Sequence, residues 1–130
     1  MKSPCLTGRQ LDGAVLQALT GYPLSESGET YYRVPDAEYS YFDGEYPVPH
    51  YSESLDSAFD ALMELLDRTD EFGIKLYHVD IEWWGNSDRW YVAIERKPSN
   101  IHSMPPIWFR WVQESLITAI LNAVVEALKS

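Results

Sequence analysis

The polar residues with the best spacing for joint chemistry lie on one short segment. His78, Asp80 and Glu82 alternate with apolar residues, so a strand would put all three on one face. An imidazole and two carboxylates can bind a transition metal or pair a base with an acid. Along a strand, however, such residues are about 6.6 to 7 Å apart, too far for three ligands to reach one ion easily. We interpret the trio as a polar, solvent-facing strand surface, with His78 and Asp80 as the weak metal candidate.

Recognised catalytic motifs are absent from the sequence. It contains no H-E-x-x-H, G-x-S-x-G, Walker or G-x-G-x-x-G segment. His50 and His102 fall in expected loops, and Cys5 is the single cysteine. We therefore expect a non-catalytic protein without a cofactor. A hydrolase that uses His78 and Asp80 is the least favoured alternative.

Length and charge narrow the class of protein. The 130 residues fit a single domain that spans 1–130, and the 45% hydrophobic content is enough for a core. A net charge of -10 repels nucleic-acid backbones and anionic membranes. One cysteine allows no internal disulfide, and no signal-peptide pattern or long apolar run is present. We expect a cytoplasmic protein that binds neither nucleic acid nor membrane directly.

Tyrosines are concentrated in an acidic segment. Residues 31–52 hold six of the nine tyrosines, and residues 22–53 carry a net charge of -6. A rigid ring with a polar tip suits a cover over the core, which is the interpretation we favour, and it also suits contact with a partner. Both interpretations remain open. The candidate contact residues are Tyr39, Tyr41 and Tyr46.

Five tryptophans are a second unusual feature of a chain of this length. Trp83 and Trp84 are neighbours on an expected strand, so their side chains point to opposite faces. We expect Trp83, Trp90 and Trp111 in the core, because each has a large apolar area to bury. Trp84 and Trp108 lie near an expected turn and helix start, and we regard them as candidate ligand or partner contacts.

Periodicity predicts the elements that position these residues. A capping-box pattern at Thr7 and Gln10 begins a helix that ends at Thr20, before Gly21. Apolar spacing predicts a second helix over 52–68, capped by Ser52 or Ser54, and alternation predicts two strands joined at Gly85-Asn86.

A less regular hairpin is expected over Thr30 to Val34 and Glu38 to Phe42. Pro105-Pro106 and an apolar stripe predict a last helix from Ile107 to Lys129.

The order of these pieces resembles a known family. The stretches TGRQLDGAVLQALTGY and PHYSESLDSAFDALMELL, a two-stranded region and an apolar last helix are similar to the phage ABA sandwich domain family. The motif residues are Thr7 to Asp12, Gly21-Tyr22 and Pro49 to Ser52. The resemblance covers nearly the whole chain and implies an α-β-α sandwich of phage or prophage origin, in which an antiparallel sheet with a central hairpin is covered by three helices. It carries over no catalytic residue.

Three functional hypotheses follow. The leading one is a phage accessory protein that binds a host or phage protein, or a small ligand, through the acidic tyrosine-rich segment and the nearby strand turn. The second is an acidic imitation of DNA that inhibits a host enzyme. The third is a nucleotide-sequestering protein in which Trp84 stacks on a base. The wide apolar face of the last helix also leaves a homodimer open.

Overall fold

The computed structural model describes residues 6–33, 44–97 and 106–129. In these ranges the chain folds into three α-helices, a 3₁₀ turn at Tyr51–Glu53 and five strands in two antiparallel sheets. In chain order the elements are α1 Gly8–Thr20, β1 Thr30–Arg33, β2 Gly44–Pro47, α2 Leu55–Leu66, β3 Tyr77–Trp84, β4 Arg89–Arg96, β5 Ile107–Gln113 and α3 Leu116–Lys129. None of the described helices has the length and apolarity needed to cross a membrane.

Helix α1 confirms the first predicted helix. Its apolar stripe of Leu11, Val15 and Leu16 is buried. At the C-terminus Gly21 adopts φ 77 and its N–H donates to the Gln17 carbonyl at 2.8 Å, a left-handed cap that glycine adopts without strain. The predicted capping box is wrong, because Thr7 occupies the N-cap position without a side-chain hydrogen bond.

Helix α2 confirms the second predicted helix and identifies its cap. The Ser54 hydroxyl accepts a hydrogen bond from the Ser57 N–H at 3.1 Å, so Ser54 and not Ser52 caps the first turn. Ser52 lies one turn earlier, in the 3₁₀ turn. Ala58, Leu62 and Leu65 carry the buried face of α2 into the core.

The larger sheet has the order β3-β4-β5. The predicted hairpin is confirmed in β3 and β4, whose register opposes Val79 to Ile94 and Trp83 to Trp90. The predicted helix from Ile107 to Lys129 is wrong in its first third. Ile107–Gln113 forms β5, which pairs antiparallel with β4, and α3 begins only at Leu116.

Helix α3 lies in the middle of the molecule. It contacts β4 and β5 on one side and α1 and α2 on the other. Eight of its residues are buried, namely Ala119, Ile120, Leu121, Asn122, Ala123, Val124, Val125 and Ala127. Its wide apolar face is therefore inside the fold and does not provide an exposed surface for a homodimer.

The core lies on one side of the larger sheet. The buried sheet residues of the core cluster are Tyr77, Val92, Ile94, Phe109 and Trp111. The register puts all five on the same face, because residues paired across antiparallel strands share a face. The described chain is thus a mixed α/β fold with its helices on that face. The finer α-β-α arrangement is not confirmed.

The smaller sheet lies in the tyrosine-rich segment. Strand β1 agrees with the first strand of the predicted hairpin, and its antiparallel partner is β2, with Tyr31 opposite Tyr46. The predicted second strand, Glu38 to Phe42, lies outside the described residues.

Candidate functional site

The candidate site is the face of the larger sheet opposite the core, which we call the open face. Alternation along each strand brings polar and aromatic side chains to it, as expected for an antiparallel sheet packed on one side. The open-face residues are His78, Asp80, Glu82, Trp84, Arg89, Tyr91, Ala93, Glu95, Trp108, Arg110 and Val112. The three acids and two arginines of this face nearly balance, in contrast to the strong negative charge of the whole chain.

Four of these residues form a continuous row across the three strands, which we call the aromatic row. The Trp84 and Tyr91 rings stack with centroids 4.9 Å apart and an interplanar angle of 11°. The Tyr91 hydroxyl accepts a hydrogen bond from Arg110 Nε at 3.1 Å. The Arg110 guanidinium lies 5.5 Å from the Trp108 ring centroid, a cation–π distance. The row is thus held in place by its own contacts.

The structure brings two of the predicted contact residues together. Trp84 and Trp108 lie on different edge strands of the same face, and Tyr91 and Arg110 connect them. Trp84 is 43% exposed, so much of its ring is available to a partner. Trp83, expected in the core, is 49% exposed, and the centroid of its ring lies 5.0 Å from that of Trp90. Trp111 is buried as predicted.

Two shallow clefts flank the aromatic row. One, of about 310 Å³, lies between the three strands and is lined by His78, Val79, Asp80, Glu95, Lys97 and Trp108. The other, of about 460 Å³, is at the turn after β3 and is lined by Trp83, Trp84, Gly85, Asn86 and Ser87. The row therefore runs between a polar cleft and an indole-lined cleft.

The weak metal candidate gains no third ligand. His78, Asp80 and Glu82 share the open face as predicted. Among residues 6–33, 44–97 and 106–129, no three His, Cys, Asp or Glu side chains are grouped closely enough to hold a metal ion. All three side chains are exposed, as the interpretation of a polar strand surface requires.

The tyrosine-rich segment forms a separate surface. Tyr46 lies in β2, where its ring stacks on Tyr31 at 5.7 Å, and Tyr31 stacks on Tyr22 at 5.9 Å. In the described chain neither β1 nor β2 contacts a strand of the larger sheet. Tyr46 and Trp84 therefore do not share one site. Tyr39 and Tyr41 lie outside the described residues.

The motifs that resemble the phage family meet in a structural junction. Arg9 Nη1 donates to Asp12 Oδ2 at 3.0 Å, and Arg9 Nη2 donates to the Val48 carbonyl at 3.0 Å. The other oxygen of Asp12 accepts the Ser52 N–H at 2.8 Å. Asp12 is fully buried, so these bonds replace the water that the carboxylate loses. The polar residues of both motifs thus join α1 to the segment before α2.

Tyr51, beside this junction, has a perturbed acidity. Burial raises the pKa of Tyr51 to about 12, and the negative charge of Glu64 acts in the same direction. Smaller contributions come from Tyr31 and Asp12. A phenol held neutral in this way contributes packing and hydrogen bonding at neutral pH, and it has no role as a general base there.

Comparison with known proteins found nothing similar: no family model, curated protein or solved structure matches the chain. The resemblance to the phage ABA sandwich family therefore stays a prediction from short motifs.

Proposed function

We propose that this chain is a non-catalytic accessory protein of phage or prophage type that binds another protein through its open face in the bacterial cytoplasm. The observation that carries the proposal is the aromatic row. Trp, Tyr and Arg are the residue types that contribute most to protein–protein binding energy, and here they are contiguous and partly exposed.

The shape and charge of the face favour a protein partner over nucleic acid. Aromatic rings on an open sheet can stack on bases, but nucleic-acid binding also needs cations for the phosphates. The two open-face arginines are both engaged, since Arg110 contacts Tyr91 and Trp108, and Arg89 lies 3.7 Å from Glu114. Asp80, Glu82 and Glu95 add negative charge around the row. A desolvated aromatic centre within a polar rim is the usual organisation of a protein interface.

A matched pair of tryptophan variants tests the proposal. Trp84 and Trp83 are adjacent, are 43% and 49% exposed, and point to opposite faces of β3. Wild type, Trp84→Ala and Trp83→Ala are each immobilised and used to capture proteins from the encoding cell, and the captured species are quantified by mass spectrometry. We expect a specific partner to be lost with Trp84→Ala and retained with Trp83→Ala. Equal capture by both variants would remove the open face from the proposal.

The indole-lined cleft favours a second candidate, a small planar ligand. Trp83 and Trp84 both line it, and Asn86 supplies an amide that can bind a heterocycle edge. Native mass spectrometry of the protein purified from the encoding cell distinguishes the two. A retained molecule of defined mass, absent from Asn86→Ala, would favour the ligand. A bare chain would leave the protein partner ahead.

A further inference from the structure

Strand β3 is an edge of the larger sheet and has eight residues, longer than a typical strand of about five or six. In the described chain it pairs only with β4. Edge strands of this length present a row of unpaired backbone groups that other chains can add to, and proteins usually shorten, cover or charge them.

The register identifies the backbone groups at the free edge. The Lys97 N–H donates to the Leu76 carbonyl at 3.0 Å, and this bond extends the ladder past the pair Tyr77 and Arg96. In an antiparallel ladder, hydrogen-bonded and non-hydrogen-bonded pairs alternate. Because Leu76 and Lys97 are joined by a hydrogen bond, the next pair, Tyr77 and Arg96, is a non-hydrogen-bonded one. Alternate residues therefore direct their N–H and C=O away from β4, namely Tyr77, Val79, Ile81 and Trp83. No other described residue forms a hydrogen bond with the backbone of Val79 or Ile81.

The side chains beside this edge are negatively charged. Asp80 and Glu82 point to the open face on both sides of Ile81, and neither has an ion-pair partner in the described chain. A strand added to β3 would carry its own open-face side chains directly opposite these carboxylates, at about 4.5 to 5.5 Å between Cβ atoms. Opposite charges at such positions stabilise the pairing, and like charges oppose it.

We infer that the edge of β3 binds an extended segment of a partner protein in which lysine or arginine alternates with apolar residues. The backbone of the segment bonds to Val79 and Ile81, its basic side chains face Asp80 and Glu82, and its apolar side chains extend the core face beside Val79 and Ile81. This is recognition by strand addition, in which backbone bonds give affinity and alternate side chains give specificity. The site is separate from the aromatic row and does not depend on Trp84.

A second copy of the chain fits this edge poorly. An antiparallel β3 pair that keeps both core faces on one side overlaps most when it is centred on Asp80 or on Ile81. The first register opposes Asp80 to the Asp80 of the other copy, and the second opposes Asp80 to Glu82 twice. Both juxtapose like charges, so the acids that attract a basic segment also disfavour self-pairing in the two registers of longest overlap.

Amide hydrogen exchange measured by NMR tests the inference. The probe is an end-capped peptide of about eight residues that alternates lysine and valine, matched to the length of β3. We expect it to slow exchange of the Val79 and Ile81 amides at least tenfold, while the Asp80 and Glu82 amides, already bonded to β4, change little. The same peptide with N-methyl groups on the bonding edge should have no effect, because it keeps the charge and loses the donors.

Paired charge variants separate the edge from the overall negative charge of the protein. Asp80→Lys/Glu82→Lys should lower peptide affinity at least tenfold, whereas Asp60→Lys/Glu64→Lys on the exposed face of α2 changes net charge equally and should have little effect beyond weaker long-range attraction. Unchanged Val79 and Ile81 exchange with the peptide would overturn the inference. Equal losses of peptide affinity in the two double variants would also overturn it. So would slower exchange of the Val79 and Ile81 amides that depends on protein concentration in the absence of peptide. Normal edge binding by Trp84→Ala keeps this result independent of the aromatic row.

Discussion

The Asp12 carboxylate accepts the Ser52 N–H across 2.8 Å while its other oxygen accepts from Arg9, so one fully buried side chain connects two segments 40 residues apart. Because the carboxylate is out of water, its stability depends on those donors. The same contact orients the 3₁₀ turn that leads into α2. The polar residues of the family-like motifs therefore have a defined structural role.

Removal of this carboxylate should strongly destabilise the fold. Asp12→Ala leaves the Ser52 N–H and part of the Arg9 guanidinium without a partner, and we expect a loss of about 2 to 4 kcal/mol in the free energy of unfolding. Chemical denaturation measures it. Asp60→Ala, on the exposed face of α2, should change that free energy by less than about 0.5 kcal/mol. Similar losses in the two variants would contradict a special role for Asp12.

Two tryptophans should differ sharply in their importance for stability. Trp111 is 4% exposed in the core, so Trp111→Ala creates a large cavity and should cost about 3 to 5 kcal/mol. Trp84→Ala removes a half-exposed ring and one stacking contact, with an expected cost of about 1 kcal/mol. Thermal and denaturant unfolding of both variants provides the comparison. A larger loss from Trp84→Ala would mean that the open face is covered in the folded protein.

The end of α1 should require glycine. Gly21 has φ 77, and a Cβ built there has nothing within 4 Å, so the expected cost of Gly21→Ala is conformational and about 1 kcal/mol. Gly85 lacks a positive φ, and its added Cβ would meet Trp83 only at an ordinary contact distance of 3.5 Å. Gly85→Ala should therefore be nearly neutral in equilibrium unfolding. If Gly85→Ala lowered the free energy of unfolding more than Gly21→Ala, the left-handed cap would not explain the requirement for glycine at the end of α1.

Alkaline pH should weaken the fold through Tyr51. The pKa of Tyr51 is about 12 in the folded protein and near the ordinary 10.0 when unfolded, so the unfolded chain loses this proton first. Stability from this residue is complete below pH 10 and declines as pH rises toward 12. Tyr51→Phe cannot ionise and should lack that part of the decline, as followed by denaturation at a series of pH values. Parallel curves for wild type and variant would contradict the raised pKa.

Local patterns predicted much of the helical and hairpin structure. The stripes of α1 and α2 and the alternation of β3 and β4 were read correctly because each element has one buried face, which leaves a clear period in the sequence. The hydrogen bonds that cap a helix are harder to predict from sequence. Thr7 and Gln10 fit a capping box in type and spacing, but the Thr7 side chain does not bond to the helix.

Strand β5 was missed because two signals coincided. Pro105-Pro106 matched a helix start, and the apolar residues of 107–113 continued into the stripe of α3 without a break. The alternation of Phe109 and Trp111 with Trp108 and Arg110 was the correct signal, supported by the aromatic preference for strands. Only the pairing of residues 107–113 with β4 distinguishes a strand from a helix here, and that pairing joins residues distant in sequence.

The aromatic row could not be assembled from sequence for the same reason. The sequence marks Trp84 and Trp108 only individually as candidate contacts, and the structure does bring them to one face. Their connection through Tyr91 and Arg110 depends on the exact register of three strands, which no local pattern contains. With β5 assigned as a helix, Trp108 and Arg110 had no defined relation to Tyr91.

The central position of α3 has a consequence for how the protein is made. The ribosome synthesises α3 after every other described element, yet α3 separates the sheet from α1, and Asn122 bonds to the backbone of Leu6 across 116 positions. Until α3 emerges, the apolar faces of α1, α2 and the sheet have no common partner. The fold therefore cannot be completed before α3 is synthesised, and until then these exposed apolar faces favour aggregation of the nascent chain.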